Sequence, residues 1–224
     1  MGDLHLPFGV DKPMDIFPGW NGHVERLLEN WNSKITDDDT VVLVGDHSWA
    51  LKLEESRKDL EFIDKELKGR KILSKGNHDL WWSTTKKITD FISDNGFSTI
   101  SFLFNNAYLV EGISICGTRG WIRENDEPAD QKVLNREAGR LEMSLQAGAK
   151  LGGELAAFIH YPPIYGTEEN APIIELLHKY GVKRCFYAHL HGSSIRGALN
   201  GERDGINYKL VSADSVGFDP VKIN

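Results

Sequence analysis

A layered α/β fold with mixed sheets is what this sequence predicts, and three features predict it. Short runs rich in β-formers alternate with segments of helical period through the early part of the chain. The later part is richer in β-runs, which calls for more strands than helices there. No internal repeat, low-complexity tract or Pro/Gly/Ser linker interrupts the 224 residues, so residues 1–224 read as one domain.

The helices come from spacing. In NGHVERLLENWNSKI, Val24, Leu27, Leu28 and Trp31 recur at i, i+3, i+4 and i+7, one face of a helix. Leu53, Leu60, Ile63 and Leu67 mark a second helix, closed by Gly69 as its C′ residue. Ile88, Phe91 and Ile92 mark a third, ended by Gly96, and Leu134, Ala138, Leu141 and Leu145 a fourth. Ile173, Ile174, Leu177 and Tyr180 mark the fifth, with Pro172 near its start and Gly181 past its end. The strands fall between them, at VVLVG (41–45), KILS (71–74), STISFLF (98–104), YLVEGISICG (108–117), LAAFIH (155–160), RCFYAH (184–189) and INYKLVSA (206–213). LNGERDG (199–205) reads as a hairpin connection into the last of these.

Composition narrows the class. Hydrophobic content of 40% and charged content of 26% are those of an ordinary globular protein. The net charge of -7 and a pI near 5.6 argue against non-specific nucleic-acid binding. Cys116 and Cys185 form no CxxC and read as buried thiols. No apolar run approaches the roughly 20 residues of a membrane span, and the start MGDLHLPFGV lacks the regions of a signal peptide. The expected address is cytoplasmic, with no membrane partner.

One coincidence carries the chemistry. VVLVG runs into Asp46, KILSKG into Asn77, His78 and Asp79, LAAFI into His160, and RCFYA into His189 with His191 two residues on. Ligands bind at the carboxyl ends of strands in open α/β sheets, so these groups should converge on one crevice. GDLHL adds Asp3 and His5. In an extended chain residues i and i+2 share a side, which would pair Asp3 with His5 and His189 with His191. Asn77 and His78 are neighbours and should point different ways. Gly45 and Gly76 leave room for close backbone approach. Taken singly, His23, His47 and His178 read as ordinary structural histidines, but five separated segments ending in N or O ligands do not. GxxxxGK[ST], HExxH, GxSxG and the HxHxDH run are all absent.

The series DLH, GD, GNHD, a lone H and AHLH resembles the signature of the calcineurin-like metallophosphoesterases, in order, from Asp3 to His191. The resemblance implies a four-layer αββα sandwich, two mixed β-sheets flanked by helices, and hydrolysis of phosphomonoesters or phosphodiesters by a metal-bridging hydroxide. It implies one metal held by Asp3, His5, Asp46 and His191, and a second by Asp46, Asn77, His160 and His189, with Asp46 bridging. It also implies that His78 is a catalytic group, the general acid, steadied by Asp79 at its far ring nitrogen. The mixed carboxylate, amide and imidazole donors suit two divalent ions of Mn, Fe or Zn. With two carboxylates and one hydroxide these leave a charge of about +1, which would attract an anionic substrate. That substrate would be a small phosphate ester, a nucleotide or a phosphoprotein.

Two departures stand out. Ala188 replaces the glycine of the last block. The strand that precedes the first block in that family has only Met1 and Gly2 to form it here, so the sequence leads us to expect that strand missing and Asp3 loosely held. Arg119 in GTRGW follows a strand and is a candidate for substrate binding, with a surface ion pair as its other reading. Trp81, Trp82 and Trp121 could line the cleft, though core packing suits them better. The competing function is a non-catalytic metal-binding scaffold on the same fold. Every motif position is filled, which favours the enzyme.

Overall fold

The computed structural model describes residues 1–122 and 128–223. Its strands form two main sheets. The smaller is wholly parallel, in the order β1 (Thr40–Val44), β2 (Arg70–Ser74), β3 (Ile100–Leu103). The larger is mixed, in the order β10 (Gly201–Arg203), β11 (Ile206–Leu210), β9 (Arg184–Tyr187), β6 (Glu154–Ile159), β5 (Ile113–Thr118), β4 (Tyr108–Val110). A short antiparallel pair, β7 (Ile164–Tyr165) with β8 (Glu168–Glu169), lies apart from both.

Alternation along the strands sets the layers. Val42, Val44, Ile72, Ile115, Phe158, Phe186 and Ala188 meet between the two sheets. The residues between them face outward. Leu43 and Leu73 meet α1 (His23–Lys34), α2 (Arg57–Lys65) and α3 (Thr85–Asp94) through Leu27, Leu60 and Ile88. Cys116, Ala157 and Cys185 meet α4 (Pro128–Leu151) and α5 (Ala171–Lys179) through Leu141, Leu145 and Ile173. The result is a helix–sheet–sheet–helix sandwich, as expected, except that the smaller sheet is parallel rather than mixed.

The five helical periods all correspond to helices. The expected strand over 108–117 is instead a hairpin, because Glu111 (φ 48°) and Gly112 (φ 79°) turn the chain between β4 and β5. Two successive positive φ angles are the mark of a tight hairpin turn whose twist matches its strands.

The loosely held N-terminus is not what the structure shows. The amide of Gly2 donates to the Val211 carbonyl (2.7 Å) and that of Ala213 to the Gly2 carbonyl (3.0 Å), while the Val44 amide donates to the Met1 carbonyl (2.9 Å). Residues 1–3 are therefore tied to β1 on one side and to the chain leaving β11 on the other. Met1, Gly2 and Asp3 are all buried. Ala188 also finds its place: its methyl lies in the core between the sheets, where the absent side chain of Gly2 leaves it room.

Cys185 is fully buried against α5, and burial raises its thiol pKa above the ordinary value. Cys185→Ser should place a hydroxyl without a partner there, at a cost of about 1–3 kcal/mol. A lower urea midpoint with near-normal activity per folded molecule is the expected result. A large specific loss of activity would show that the thiol does more than pack.

Candidate metal centre

Two ligand clusters form where the strands end. Donor atoms of Asp3, His5 and His191 lie within 4.8 Å of one another, as do donors of Asp46, His160 and His189. Asp46 Oδ2 sits between the clusters, 4.0 Å from His5 Nε2 and 3.4 Å from His160 Nε2. Asn77 Oδ1 joins the second cluster, 2.7 Å from His160 Nε2 and 2.9 Å from His189 Nδ1. The structure thus brings all seven expected ligand residues into one site, with Asp46 in the shared position.

The backbone achieves this in a way that spacing did not foresee. Asp3 (φ 59°), His5 (φ 46°), Asp46 (φ 55°) and His189 (φ 74°) all occupy the left-handed region. The same-side geometry of an extended chain is therefore not what pairs Asp3 with His5 or His189 with His191. Left-handed non-glycine residues are strained, and such strain clusters at functional sites where the surroundings hold it. Here the hold is a ladder from the first segment to the loop after β1: Asp3 N to Gly45 O (2.9 Å), His5 N to Asp46 O and Leu6 N to His47 O (3.0 Å each).

The donors are arranged for cations. His160 donates from Nδ1 to the Val44 carbonyl (2.9 Å), and burial lowers its pKa, so its Nε2 presents a lone pair toward Asn77 Oδ1 and Asp46 Oδ2. His191 is oriented likewise, since Asp214 Oδ1 accepts from its Nδ1 (2.9 Å) and leaves Nε2 facing Asp3 Oδ1 at 3.6 Å. Asp3 Oδ1 and His5 Nδ1 are buried with no hydrogen-bond partner among the described residues. Acceptors facing acceptors in a buried place are costly unless a cation stands between them.

Charge tells the same story. Burial, then Asp79 and Asp3, raise the Asp46 pKa well above the ordinary carboxylate value. Burial would raise Asp3 too, but the imidazoles of His191, His160 and His5 hold it low. Burial opposes protonation of His191, yet Asp3 and Asp214 push its pKa up to about 10, so without a metal a proton on Nε2 takes the place toward Asp3 that an ion would occupy. The donor set fits two divalent ions: the first between Asp3, His5 and His191, the second between Asn77, His160 and His189, with Asp46 serving both.

The site opens on one side. Asp3, His5, Asp46 and His160 are buried, whereas Asn77, His78, His189 and His191 are half-buried and form the accessible face. Trp49 lies over this face, stacked on His5 (4.4 Å, 17°) and tilted against His78 (4.5 Å). Lys12 Nζ sits 3.6 Å from the centre of the Trp49 ring. Trp20 packs edge-on to His5 and His191, and Tyr161 lies 4.3 Å from the His189 ring. Trp20, Trp49, Tyr161 and Asp214 were not expected here. Asp214 alone had a signal, being a carboxylate just beyond the β-run 206–213.

The sequence profile of the calcineurin-like phosphoesterases matches residues 1–193. The chain belongs to this family. No curated protein matches the sequence. Among solved structures, a protein of unknown function from Aquifex aeolicus is similar at 16% identity and TM-score 0.52, over 99% of this chain and 92% of that one. Thermus thermophilus TT1561 is similar at 14% identity and TM-score 0.53, over 77% of this chain and 78% of that one. At these identities the likeness is one of fold.

One expectation implied by the resemblance needs correction, and one of the two readings of Arg119 is selected. Asp79 does not steady His78. Its Oδ2 accepts from the amides of Asp46 (2.8 Å) and Gly76 (2.8 Å), and its Oδ1 from the amide of His47 (2.9 Å) and Trp81 Nε1 (3.0 Å). Asp79 is thereby a buried clamp joining the loops after β1 and β2, and its oxygens are spent on that. Arg119 pairs with buried Glu137 (3.4 Å) rather than standing free at the metal ligands. Trp81 is buried, as core packing predicted, and His47 donates to the Ser74 carbonyl (2.8 Å) as a structural histidine.

Gly76 shows how tightly the phosphoesterase loops are set. A Cβ there would stand 2.1 Å from Asp46 Oδ1 and 2.3 Å from the Asp46 amide. Gly76→Ala must displace the shared ligand, and such overpacking costs about 1–3 kcal/mol. Reduced metal content by elemental analysis and a lower melting temperature are expected together. Wild-type metal content in the variant would show that the loops can separate without harm.

Proposed function

We propose that this chain hydrolyses a phosphomonoester or phosphodiester with two divalent metal ions, drawn from Mn, Fe and Zn. The observation that carries the reading is the shared position of Asp46 Oδ2 between two ligand clusters whose accessible face bears His78. Asp3, His5, Asp46, Asn77, His160, His189 and His191 would hold two such ions, which would supply a water activated at neutral pH and offset the charge of the phosphoryl group.

The residues of the chain do the rest. Asp46 keeps Oδ2 between the two clusters because its Oδ1 accepts from the His78 amide (2.7 Å). The same bond fixes the backbone of His78, and the Trp49 face limits where its ring can turn. Placed on the open side, His78 donates a proton to the leaving oxygen of the ester. Asp214 and the Val44 carbonyl hold the His191 and His160 tautomers that leave Nε2 free to ligate, a common outer-shell arrangement. Small phosphate esters, nucleotides and phosphoproteins are all substrates of the right chemistry.

The test compares 4-nitrophenyl phosphate with bis(4-nitrophenyl) phosphate on protein freed of metal by a chelator and then reloaded with Mn, Fe or Zn. Hydrolysis that is lost on chelation and restored on reloading is expected. No hydrolysis of either ester with any of the three metals, in protein shown to bind two ions, would favour the scaffold reading instead.

A further inference from the structure

A second polar cluster lies beside the metal ligands. β2, β3 and β5 end at Ser74, Leu103 and Thr118. Just past these ends Lys75, Asn105 and Arg119 close on a cavity of about 20 Å3, walled by Glu137 and Arg140 of α4. That is room for about one water or one anionic oxygen. Buried Glu137 accepts from Thr118 Oγ1 (2.8 Å), Arg140 Nη1 (2.7 Å) and Arg119 Nη2 (3.4 Å).

Among the described residues that line this cavity, Lys75, Arg119 and Arg140 meet one carboxylate, that of Glu137. Among the described residues the half-buried Lys75 ammonium has no hydrogen bond or ion pair, and the buried Nε of Arg119 has no partner. Cations with unspent donors in a partly buried place are stabilised by an anion.

The cluster is also joined to the metal centre. Lys75 stands two residues before Asn77. The Arg119 carbonyl accepts from the amide of Tyr161, the residue after His160 (2.9 Å). A wall of side chains runs between them: the Arg119 guanidinium lies 5.0 Å from the Trp121 ring, Trp121 5.4 Å from Tyr161, and Tyr161 4.3 Å from His189.

We propose that Lys75, Arg119 and Arg140 form a second anion site, whose cavity takes one oxygen of a phosphate or carboxylate of the substrate other than the ester phosphate held at the metals. The inference rests on the phosphoesterase reading. It narrows the substrate to molecules with two anionic groups set apart by a spacer.

The test uses metal-loaded protein and a series of alkane bisphosphonates of increasing chain length, with methylphosphonate and inorganic phosphate as single-anion references, by titration calorimetry. In wild type the affinity should peak at one chain length, about tenfold or more above methylphosphonate. Lys75→Met and Arg119→Gln should each remove that peak. Lys75 has no hydrogen bond or ion pair to lose among the described residues, so its variant keeps the question open to test even if Arg119→Gln folds poorly. An affinity without a peak, or a peak that survives both changes, overturns the second site and leaves a structural ion cluster. If Lys75→Met weakens inorganic phosphate as much as the best bisphosphonate, the cluster serves the single phosphate and the proposal also falls. Hydrolysis of 4-nitrophenyl phosphate is read separately: its absence would fail the phosphoesterase reading, while its presence with no bisphosphonate peak would fail only this one.

Discussion

Asp46→Asn should lose both metal ions and nearly all hydrolysis while making the metal-free protein more stable. The carboxylate is buried, and its Oδ2 lies between the two clusters, so each ion loses a charged ligand when it becomes an amide. Changes one shell further out commonly cost about 10–100-fold in affinity or activity, so replacing the shared ligand should exceed that. The metal-free protein tells the opposite story. Burial, Asp79 and Asp3 raise the folded-state pKa of Asp46 well above 3.8. Folding then favours the protonated form, and stability falls as pH rises from about the unfolded pKa through the folded one. The amide carries no charge to bury there and escapes that penalty. Melting curves at neutral pH should therefore rank the variant above wild type without metal and below it with metal. A variant that retains two ions, or that is less stable in both states, would show that Asp46 does not carry the bridging charge.

The sequence made the ligand residues legible because each stands at the end of an apolar run, where a strand delivers it to the crevice. It made the layers legible through runs of β-formers between helical periods, while the sorting within a run is a finding of the structure, as in Val42, Leu43 and Val44, whose outer members face one core and whose middle member faces another. It did not show the hand of the backbone. Spacing alone cannot distinguish an extended pair from the left-handed turns at Asp3 and His5, which hydrogen bonds to the distant loop after β1 impose, or from the one at His189, whose amide donates to Asp3 Oδ2 (3.0 Å). Asp79 shows the same limit. Its place in GNHD suggested a partner one residue away, but three of its four partners are backbone amides of Asp46, His47 and Gly76, two of them over thirty residues distant. Trp49 over His5 and Asp214 on His191 are likewise products of packing between loops, which no local pattern encodes.

His78→Ala should leave both metals in place and lose activity in a way that depends on the leaving group. The His78 side chain is no member of either ligand cluster; its backbone amide binds Asp46 Oδ1, and an alanine keeps that bond. Its ring lies on the open face, 4.5 Å from Trp49 and 5.7 Å from His5. A group so placed can protonate a departing alkoxide, a contribution of about 10²–10⁴ in rate. Nitrophenolate leaves with little need of a proton, so esters of nitrophenol should suffer distinctly less than alkyl esters. The pH dependence sharpens this. Burial, then His160 and Lys12, lower the His78 pKa below 6.5. A general acid acts in its protonated form, so wild-type activity on alkyl esters should decline as pH rises through that lowered value, and the alanine variant should lack this limb. Equal losses on both ester types, or metal lost along with activity, would make His78 a ligand or a positioning group rather than the acid.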